Sequence, residues 1–200
     1  MNSKITVGVT GGIGSGKSYI CSILENMGYP VFFSDKVSKS LLVEDQAIIS
    51  KLKELLGNEA YHSDGSVNKP YIASQIFTDD AKLMAMNNIV HPAVREAFAE
   101  FVAQQNSPIV FNEAAILFET GAYTQFHKVI LVVSPETLRI KRVLERENTS
   151  ETEIKARMAK QWSDDQKIPL TDYIIRNGEH DMLLPQITEI IADLLPASQV

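Results

Sequence analysis

The chain has 200 residues, a length at which a single domain buries roughly 70% of its unfolded surface. Hydrophobic residues make up 44% and charged residues 22%, which excludes a disordered or collagen-like chain. The formal net charge of −6 argues against nonspecific nucleic-acid binding, and no apolar stretch approaches the ~20 residues that span a membrane.

The N-terminal sequence MNSKITVGVTGG reaches glycines before it builds the apolar region of a signal peptide. Cys21 is the only cysteine, so no internal disulfide can form, which agrees with a reducing compartment. We therefore expect a cytoplasmic protein. Because Cys21 falls within a predicted helix, we expect it to be packed rather than reactive.

The first predicted elements are a strand, a glycine-rich loop and a helix. A short β-branched run predicts a strand over residues 4–9, and glycines follow at residues 11–16. A helix is predicted from apolar residues spaced i, i+3, i+4 and i+7, namely Ile20, Ile23, Leu24 and Met27. Gly28 is expected to end this helix.

Short apolar runs predict four further strands, at residues 31–33, 109–111, 129–133 and 173–175. Residues 36–105 are mostly helical in pattern, with a turn at Asp64-Gly65 and a helix start at His91-Pro92. Strands that alternate with helices predict an α/β fold with a parallel sheet covered on both faces. No repeat or linker divides the chain.

Three later helices have recognisable sequence signals. Ser134 before Pro135 predicts an N-cap with proline at the first helical position, and residues 150–153 have the spacing of a capping box. The final helix is expected to bury one face, formed by Leu183, Ile187, Ile190, Ile191 and Leu194.

The clearest functional motif is GGIGSGKS at residues 11–18, which satisfies G-x-x-x-x-G-K-[ST]. Glycines let the loop bend around an anion so that backbone N–H groups point at phosphate oxygens. Lys17 adds charge for the β and γ phosphates, Ser18 offers a hydroxyl to Mg²⁺, and the next helix directs its positive end there. The predicted nucleotide contacts are Gly12, Ile13, Gly14, Ser15, Gly16, Lys17, Ser18 and Tyr19, with Ser18 as metal ligand.

A P-loop alone does not name a reaction, so a kinase must be weighed against a GTPase or a motor. A GTPase needs an N-K-x-D segment, and the nearest approach, Asn68-Lys69-Pro70-Tyr71, lacks the acid. No D-x-x-G switch motif occurs in the sequence, and a nucleic-acid motor would be longer and more basic. These features favour a kinase that acts on a small molecule.

Phosphoryl transfer needs positioning, positive charge and an acceptor for the hydroxyl proton. Asp35, expected at the carboxyl end of the second strand, suits the last role, although it could instead cap the helix that begins near Lys36. Glu113 could hold Mg²⁺ through water or be an ordinary strand-end carboxylate.

Positive charge is concentrated in one later stretch. Arg139, Arg142 and Arg146 are spaced i, i+3 and i+7 and so share a helix face, and Arg157 follows on the next helix. The stripe could be solvated and paired with Glu145 and Glu147. In a P-loop kinase it would instead belong to a lid that neutralises transition-state charge.

An ordered set of motifs makes the whole chain resemble the dephospho-CoA kinase family. The set is TGGIGSGKS at residues 10–18, Asp35, H-P-x-V-R at 91–95, I-L-F-E at 116–119, S-P-E-T at 134–137, R-M-x-x-Q at 157–161 and D-Y-I-I-x-N-G at 172–178. Two departures stand out: Phe33 replaces the first acid of the family's D-A-D, and Ala115 replaces the proline of P-L-L-F-E.

The resemblance implies transfer of the γ-phosphate of ATP to the ribose 3′-hydroxyl of dephospho-CoA, the last step of coenzyme A synthesis. It implies one P-loop domain over residues 1–200, with a three-layer core of five parallel strands (1–35, 106–138 and 166–200), a helical acceptor-binding region (36–105) and a lid (139–165). We expect a monomer.

The resemblance also implies residue roles. Lys17 and Ser18 hold phosphate and Mg²⁺, Asp35 is the base, Arg142 binds ATP phosphates and Asn177 lies near adenine. His91, Arg95 and Gln161 are candidates for the substrate side or for domain closure, and His91 before proline could simply cap its helix. A nucleoside or shikimate kinase is the alternative enzyme, and a non-catalytic nucleotide-binding regulator is the alternative outside enzymes.

Overall fold

The structure is a computed structural model that describes residues 4–77 and 79–195. Five strands form one sheet: β1 Ile5–Thr10, β2 Val31–Phe33, β3 Ile109–Glu113, β4 Lys128–Val133 and β5 Tyr173–Arg176. The α-helices of the described ranges are α1 Lys17–Asn26, α2 Ser34–Glu44, α3 Gln46–Leu56, α4 Lys69–Ile76, α5 Asp80–Gln104, α6 Glu136–Arg146, α7 Glu151–Met158, α8 Asp164–Lys167 and α9 Leu183–Leu194.

All neighbouring strands pair in parallel, in the order β2-β3-β1-β4-β5. This confirms the predicted α/β fold. β1 is the central strand: Val9 lies beside Glu113 of β3, and Thr10 lies beside Leu131 of β4. Parallel strands end at one edge of the sheet, so the loop that follows β1 is flanked by the carboxyl ends of β3 and β4.

The chain forms two compact units, residues 1–33 with 105–200 and residues 34–104. The first unit contains the sheet, and α1 and α9 supply apolar residues to its core. Ile20 and Leu24 of α1 are buried, and so is Cys21 between them. The predicted inner face of α9 is buried at Ile187, Ile190, Ile191 and Leu194, with Leu183 packed against it. Met27, predicted on the α1 face, instead lies past the helix end and is partly exposed.

The second unit is helical and has its own apolar core. α3 contributes Ile48, Leu52 and Leu56, and α5 contributes Val90. In sequence this unit overlaps the region 36–105 that was predicted to be helical. None of the helices within the described ranges is both long and apolar enough to cross a membrane.

The predicted helix start at His91-Pro92 is wrong, because Pro92 lies inside α5. A proline within a helix cannot donate the usual backbone hydrogen bond and normally destabilises it. Here the residues on both sides, Ile89, Val90, Ala93 and Val94, pack into the core of the second unit, so burial of this face outweighs the missing bond.

Other boundaries also differ from the predictions. The N-cap of α6 is Pro135, not Ser134, whose hydroxyl donates to the Asn177 carbonyl. β3 continues to Glu113 because Asn112 and Glu113 keep the parallel register with β1, so Glu113 is the last residue of the strand. The capping box at Ser150 and Glu153 is confirmed.

A buried ion pair joins the end of α8 to the segment between β3 and β4 in the first unit. The Lys167 side chain is fully buried, and its Nζ lies 2.9 Å from Glu119 Oε1, which also accepts from the Trp162 N–H. Removing one member of such a pair leaves an uncompensated buried charge.

We predict that Lys167→Met lowers the melting temperature by about 6–12 °C, because stranding the Glu119 charge costs roughly 3 kcal/mol. The double variant Lys167→Met/Glu119→Gln should recover part of the loss. Lys155→Ala, which removes an exposed pair with Glu151, is the matched control and should change little. Calorimetry of the four proteins would contradict the prediction if the two lysine variants melted alike.

Candidate active site

The P-loop lies between the end of β1 and the start of α1, and two of its glycines adopt left-handed backbone conformations. Gly14 has φ +77° and Gly16, the N-cap of α1, has φ +89°. A Cβ on Gly16 would also overlap Asn177 Nδ2, and one on Gly14 would overlap the backbone carbonyl of Arg139. Side chains at these two positions are therefore excluded by both strain and space.

Lys17 opens α1, and its Nζ lies 3.6 Å from Glu113 Oε1. Both side chains are largely buried, and Glu113 ends the strand beside β1. The carboxylate therefore holds the ammonium group at the base of the loop. The sequence predicts Glu113 only as a water-mediated metal ligand or a strand-end carboxylate. Its ion pair with Lys17 is not predicted, because no local pattern shows that the two side chains face each other.

The arginines of the stripe fall into two groups that differ in their contacts. Arg139 Nε donates to the Ile13 carbonyl at 2.8 Å, and Arg142 donates to Ser134 Oγ and to the Asn177 carbonyl, both at 3.1 Å. Arg146 and Arg157 instead pair with Glu147 at the surface, as the solvated alternative expected. Only Arg139 and Arg142 of this stripe contact the P-loop or its direct neighbours.

Asn177 follows β5 and is buried beside the loop. Its Nδ2 donates to the Ser15 carbonyl at 2.8 Å, and Arg142 Nη1 lies 3.5 Å from the same oxygen. The backbone carbonyl of Asn177 accepts from both Ser134 and Arg142. Asn177 thus connects the ends of β4 and β5 to the loop that follows β1.

A cavity of about 450 Å³ opens beside the carboxyl ends of β4 and β5. Its lining combines apolar and charged side chains: Val133, Ser134, Pro135, Asp164, Ile168, Ile174, Arg176 and Asp181. Asp164 also lies 3.9 Å from Arg139 Nη1, so one wall of the cavity is next to the arginine that binds the Ile13 carbonyl of the P-loop. Apolar walls with a few polar groups are what a planar organic ring requires.

The oxygen donors near the loop suit a Mg²⁺ ion that binds together with phosphate. Ser18 is exposed in the first turn of α1, and Glu113 supplies a carboxylate at the end of β3. Among the described residues, no three His, Cys, Asp or Glu side chains form a metal-binding group. Mg²⁺ at phosphoryl-transfer sites usually has one or two protein ligands and completes its shell with water and substrate, which fits this donor set.

Three predicted site residues lie in the second unit. Asp35 is the second residue of α2, two residues past β2, so it is neither a strand residue nor an N-cap. His91 and Arg95 are one turn apart on α5, and His91 therefore does not cap a helix. Burial lowers the pKa of His91, and the charge of Arg95 lowers it further. Both effects favour the neutral imidazole of His91.

Comparison with known proteins identifies the family. The sequence model of dephospho-CoA kinase matches residues 5–181. This chain belongs to the dephospho-CoA kinase family. A dephospho-CoA kinase of Bacteroides fragilis (strain YCH46) is 37% identical over 191 residues, which cover 95% of this chain and 93% of that protein.

A second relative agrees with this assignment, and a solved structure shares the fold. A dephospho-CoA kinase of Chlorobaculum tepidum is 38% identical over 199 residues, 96% of this chain and 95% of that protein. The crystal structure of TT1252 from Thermus thermophilus is similar with a TM-score of 0.86 at 30% identity, over 97% of this chain and all of that one. The resemblance drawn from the ordered motifs is thereby confirmed.

Two predicted site residues of this dephospho-CoA kinase family member, Tyr19 and Gln161, differ in their exposure to solvent and in their contacts. Tyr19 is 61% exposed in the first turn of α1. Gln161, expected on the substrate side or at a closing domain, has its amide bound to the backbone of Ile13 and Ala115. Sequence reasoning missed Lys167 as a site-supporting residue, although its partner Glu119 ends the I-L-F-E motif.

We predict that Arg142→Ala lowers kcat/KM for ATP by roughly 10–100-fold. The reason is that the guanidinium no longer donates hydrogen bonds to Ser134 and Asn177 beside the loop. Arg146→Ala, one turn further along the same helix, removes only a surface pair and should stay within about twofold. Steady-state kinetics and melting curves of both variants are needed, so that activity is compared per folded molecule. Equal kinetics for the two variants would contradict a role for Arg142 at the site.

Proposed function

We propose that the protein transfers the γ-phosphate of ATP to the ribose 3′-hydroxyl of dephospho-CoA, giving coenzyme A and ADP. The observation that carries this proposal is the P-loop itself, which is anchored on its outer side by Arg139, Arg142 and Asn177 in a chain of this kinase family.

The phosphate-binding half of the reaction rests on backbone groups and one lysine. The loop turns into the N-terminus of α1, where no side chain caps the helix and the helix dipole favours an anion. Lys17 lies at the start of the same helix and adds a full positive charge. We assign Gly12 to Tyr19 to nucleotide binding, with backbone contacts in the glycine-rich part.

Arg142 adds positive charge beside the loop from a fixed position. Its guanidinium is held by Ser134 and Asn177, so it is preorganised next to the Ser15–Gly16 peptide. A preorganised charge stabilises developing negative charge without reorganisation during the reaction. We place the adenine ring in the cavity beside β4 and β5, next to Asn177, with residues 139–165 as the lid.

A Mg²⁺ ion held here with the nucleotide would supply positive charge that offsets the phosphate charge during transfer. Ser18 Oγ is the residue we assign to it, with Glu113 as a further oxygen donor. Lys17 and Glu113 already form an ion pair, so the carboxylate charge is partly compensated when no metal is bound.

Asp35 is our candidate for the general base. Its carboxylate is exposed in the first turn of α2, immediately after the sheet strand β2. An exposed carboxylate can reach a hydroxyl group and accept its proton, whereas Glu113 is buried against Lys17. This assignment gives Glu113 a separate role, which is to position Lys17 and the metal.

The acceptor-binding region is proposed to be residues 36–105. Its helices expose apolar side chains that suit the pantetheine arm, at Val43 of α2 and at Leu83 and Met84 of α5. His91 with Arg95 presents a donor and a cation on one face of α5. We also propose that the enzyme works as a monomer in the cytoplasm, where its single buried thiol stays reduced.

Asp35→Asn should lower kcat by about 10²–10⁴-fold with ATP affinity within about threefold, because the amide keeps the shape but accepts no proton. Asp45→Asn is a matched control in the same unit, since asparagine also caps α3 well. Single-turnover kinetics isolate the chemical step. Near-native turnover by Asp35→Asn in that assay would rule out the base.

The acceptor assignment is tested by incubating the protein with ATP, Mg²⁺ and one acceptor at a time. Dephospho-CoA should become coenzyme A, while adenosine, shikimate and nucleoside monophosphates stay largely unreacted, because the remote arm supplies the binding energy that orients the hydroxyl. Mass spectrometry identifies the products. Lys17→Ala, purified identically, controls for contaminating kinases. Efficient phosphorylation of another acceptor, with none of dephospho-CoA, would refute the assignment.

A further inference from the structure

Both peptide groups of Ile13, in the middle of the P-loop, are bound by side chains from the segment predicted to be the lid. The Ile13 N–H donates to Gln161 Oε1 at 2.9 Å, and the Ile13 carbonyl accepts from Arg139 Nε at 2.8 Å. These two partners lie 148 and 126 residues away along the chain. A loop residue held at both its donor and its acceptor has little rotational freedom left.

The orientation of Ile13 determines where the next N–H points. In a trans peptide the carbonyl and the following N–H point in opposite directions. Because Arg139 holds the Ile13 carbonyl, the Gly14 N–H of the same peptide points away from Arg139, as a loop whose N–H groups face a phosphate oxygen requires. The same relation holds between the Ser15 carbonyl, bound by Asn177, and the Gly16 N–H.

Packing reinforces these hydrogen bonds. The Ile13 side chain joins an apolar cluster with Ile140 and Val143 of α6 and Ile154 of α7. A Cβ on Gly12 would overlap the Arg139 guanidinium, so α6 lies directly against the loop. Ile13 is therefore fixed by its side chain as well as by its backbone.

Gln161 has a second contact that makes it a bridge. Its Nε2 donates to the Ala115 carbonyl at 3.3 Å, two residues after Glu113, the partner of Lys17. A glutamine amide supplies one acceptor and two donors, so a single neutral side chain can join the loop N–H to this carbonyl. The neighbouring Trp162 N–H is bound by Glu119, which pairs with buried Lys167 and anchors the backbone beside Gln161.

We propose that Gln161 is a positioning residue that, together with Arg139, fixes the P-loop through Ile13 and so aims the Gly14 N–H at the bound polyphosphate. The proposal rests on the phosphate-binding role of the P-loop proposed above. It differs from a substrate-side role for Gln161, because the amide acts through the loop backbone and touches neither the acceptor nor the reacting atoms.

The test compares the wild type with Gln161→Met and Gln161→Asn. Methionine keeps the length and neutrality but makes neither hydrogen bond, and asparagine is too short by one methylene to span both partners. Lys155→Ala, on the exposed side of α7, is the control. Calorimetric titrations with inorganic tripolyphosphate and with ADP, both with Mg²⁺, probe the loop without any acceptor.

Both Gln161 variants should bind tripolyphosphate and ADP about tenfold more weakly, with KM for ATP raised and KM for dephospho-CoA unchanged. Melting curves without ligand correct each affinity for the folded fraction. Unchanged phosphate affinity, a rise confined to KM for dephospho-CoA, or a loss explained by unfolding would each overturn the inference. A wild type that binds neither probe would instead refute the P-loop proposal, and the inference with it.

Discussion

A protein with net charge −6 can hold a polyphosphate only if its binding loop concentrates positive potential locally. In the proposed site the P-loop would do this with backbone N–H groups, which requires that the carbonyls of the same peptides point away from the phosphate. Ile13 and Ser15 carbonyls are both bound from outside, by Arg139 and by Asn177 with Arg142. The direction of these two peptides is the constraint on which the rest of the site depends.

The sheet order supplies the supports that this constraint requires. With β1 between β3 and β4, Glu113 reaches Lys17 from one side, and Ser134 with α6 approaches the loop from the other. β5 follows β4 and brings Asn177 into the same group. A loop that follows an edge strand would have a neighbouring strand on one side only. The central position of β1 therefore lets residues from both sides contact the loop.

The sequence predicted the local features well. The glycine pattern located the loop, the apolar runs located five strands, and the motif set identified the family, because each depends on residues close together in the chain. The supports of Ile13 and Ser15 were not predictable in this way, since Arg139, Gln161 and Asn177 join the loop only through the sheet order. The predicted helix start at Pro92 was wrong. Proline usually marks a helix boundary, but here burial of the residues on both sides keeps Pro92 inside α5. The individual roles of all the predicted site residues, Asp35, His91 and Arg95 among them, stay predictions.

The reactivity of Cys21 can be used to follow the opening of α1. The thiol is buried on α1 one turn after Lys17, and burial, together with the nearby Glu113 carboxylate, raises its pKa well above the usual range. Only the thiolate reacts with alkylating reagents, so the native protein should be labelled through transient opening of α1. The labelling rate therefore reports the opening events that expose the buried face of the helix that begins at the P-loop, without any engineered probe.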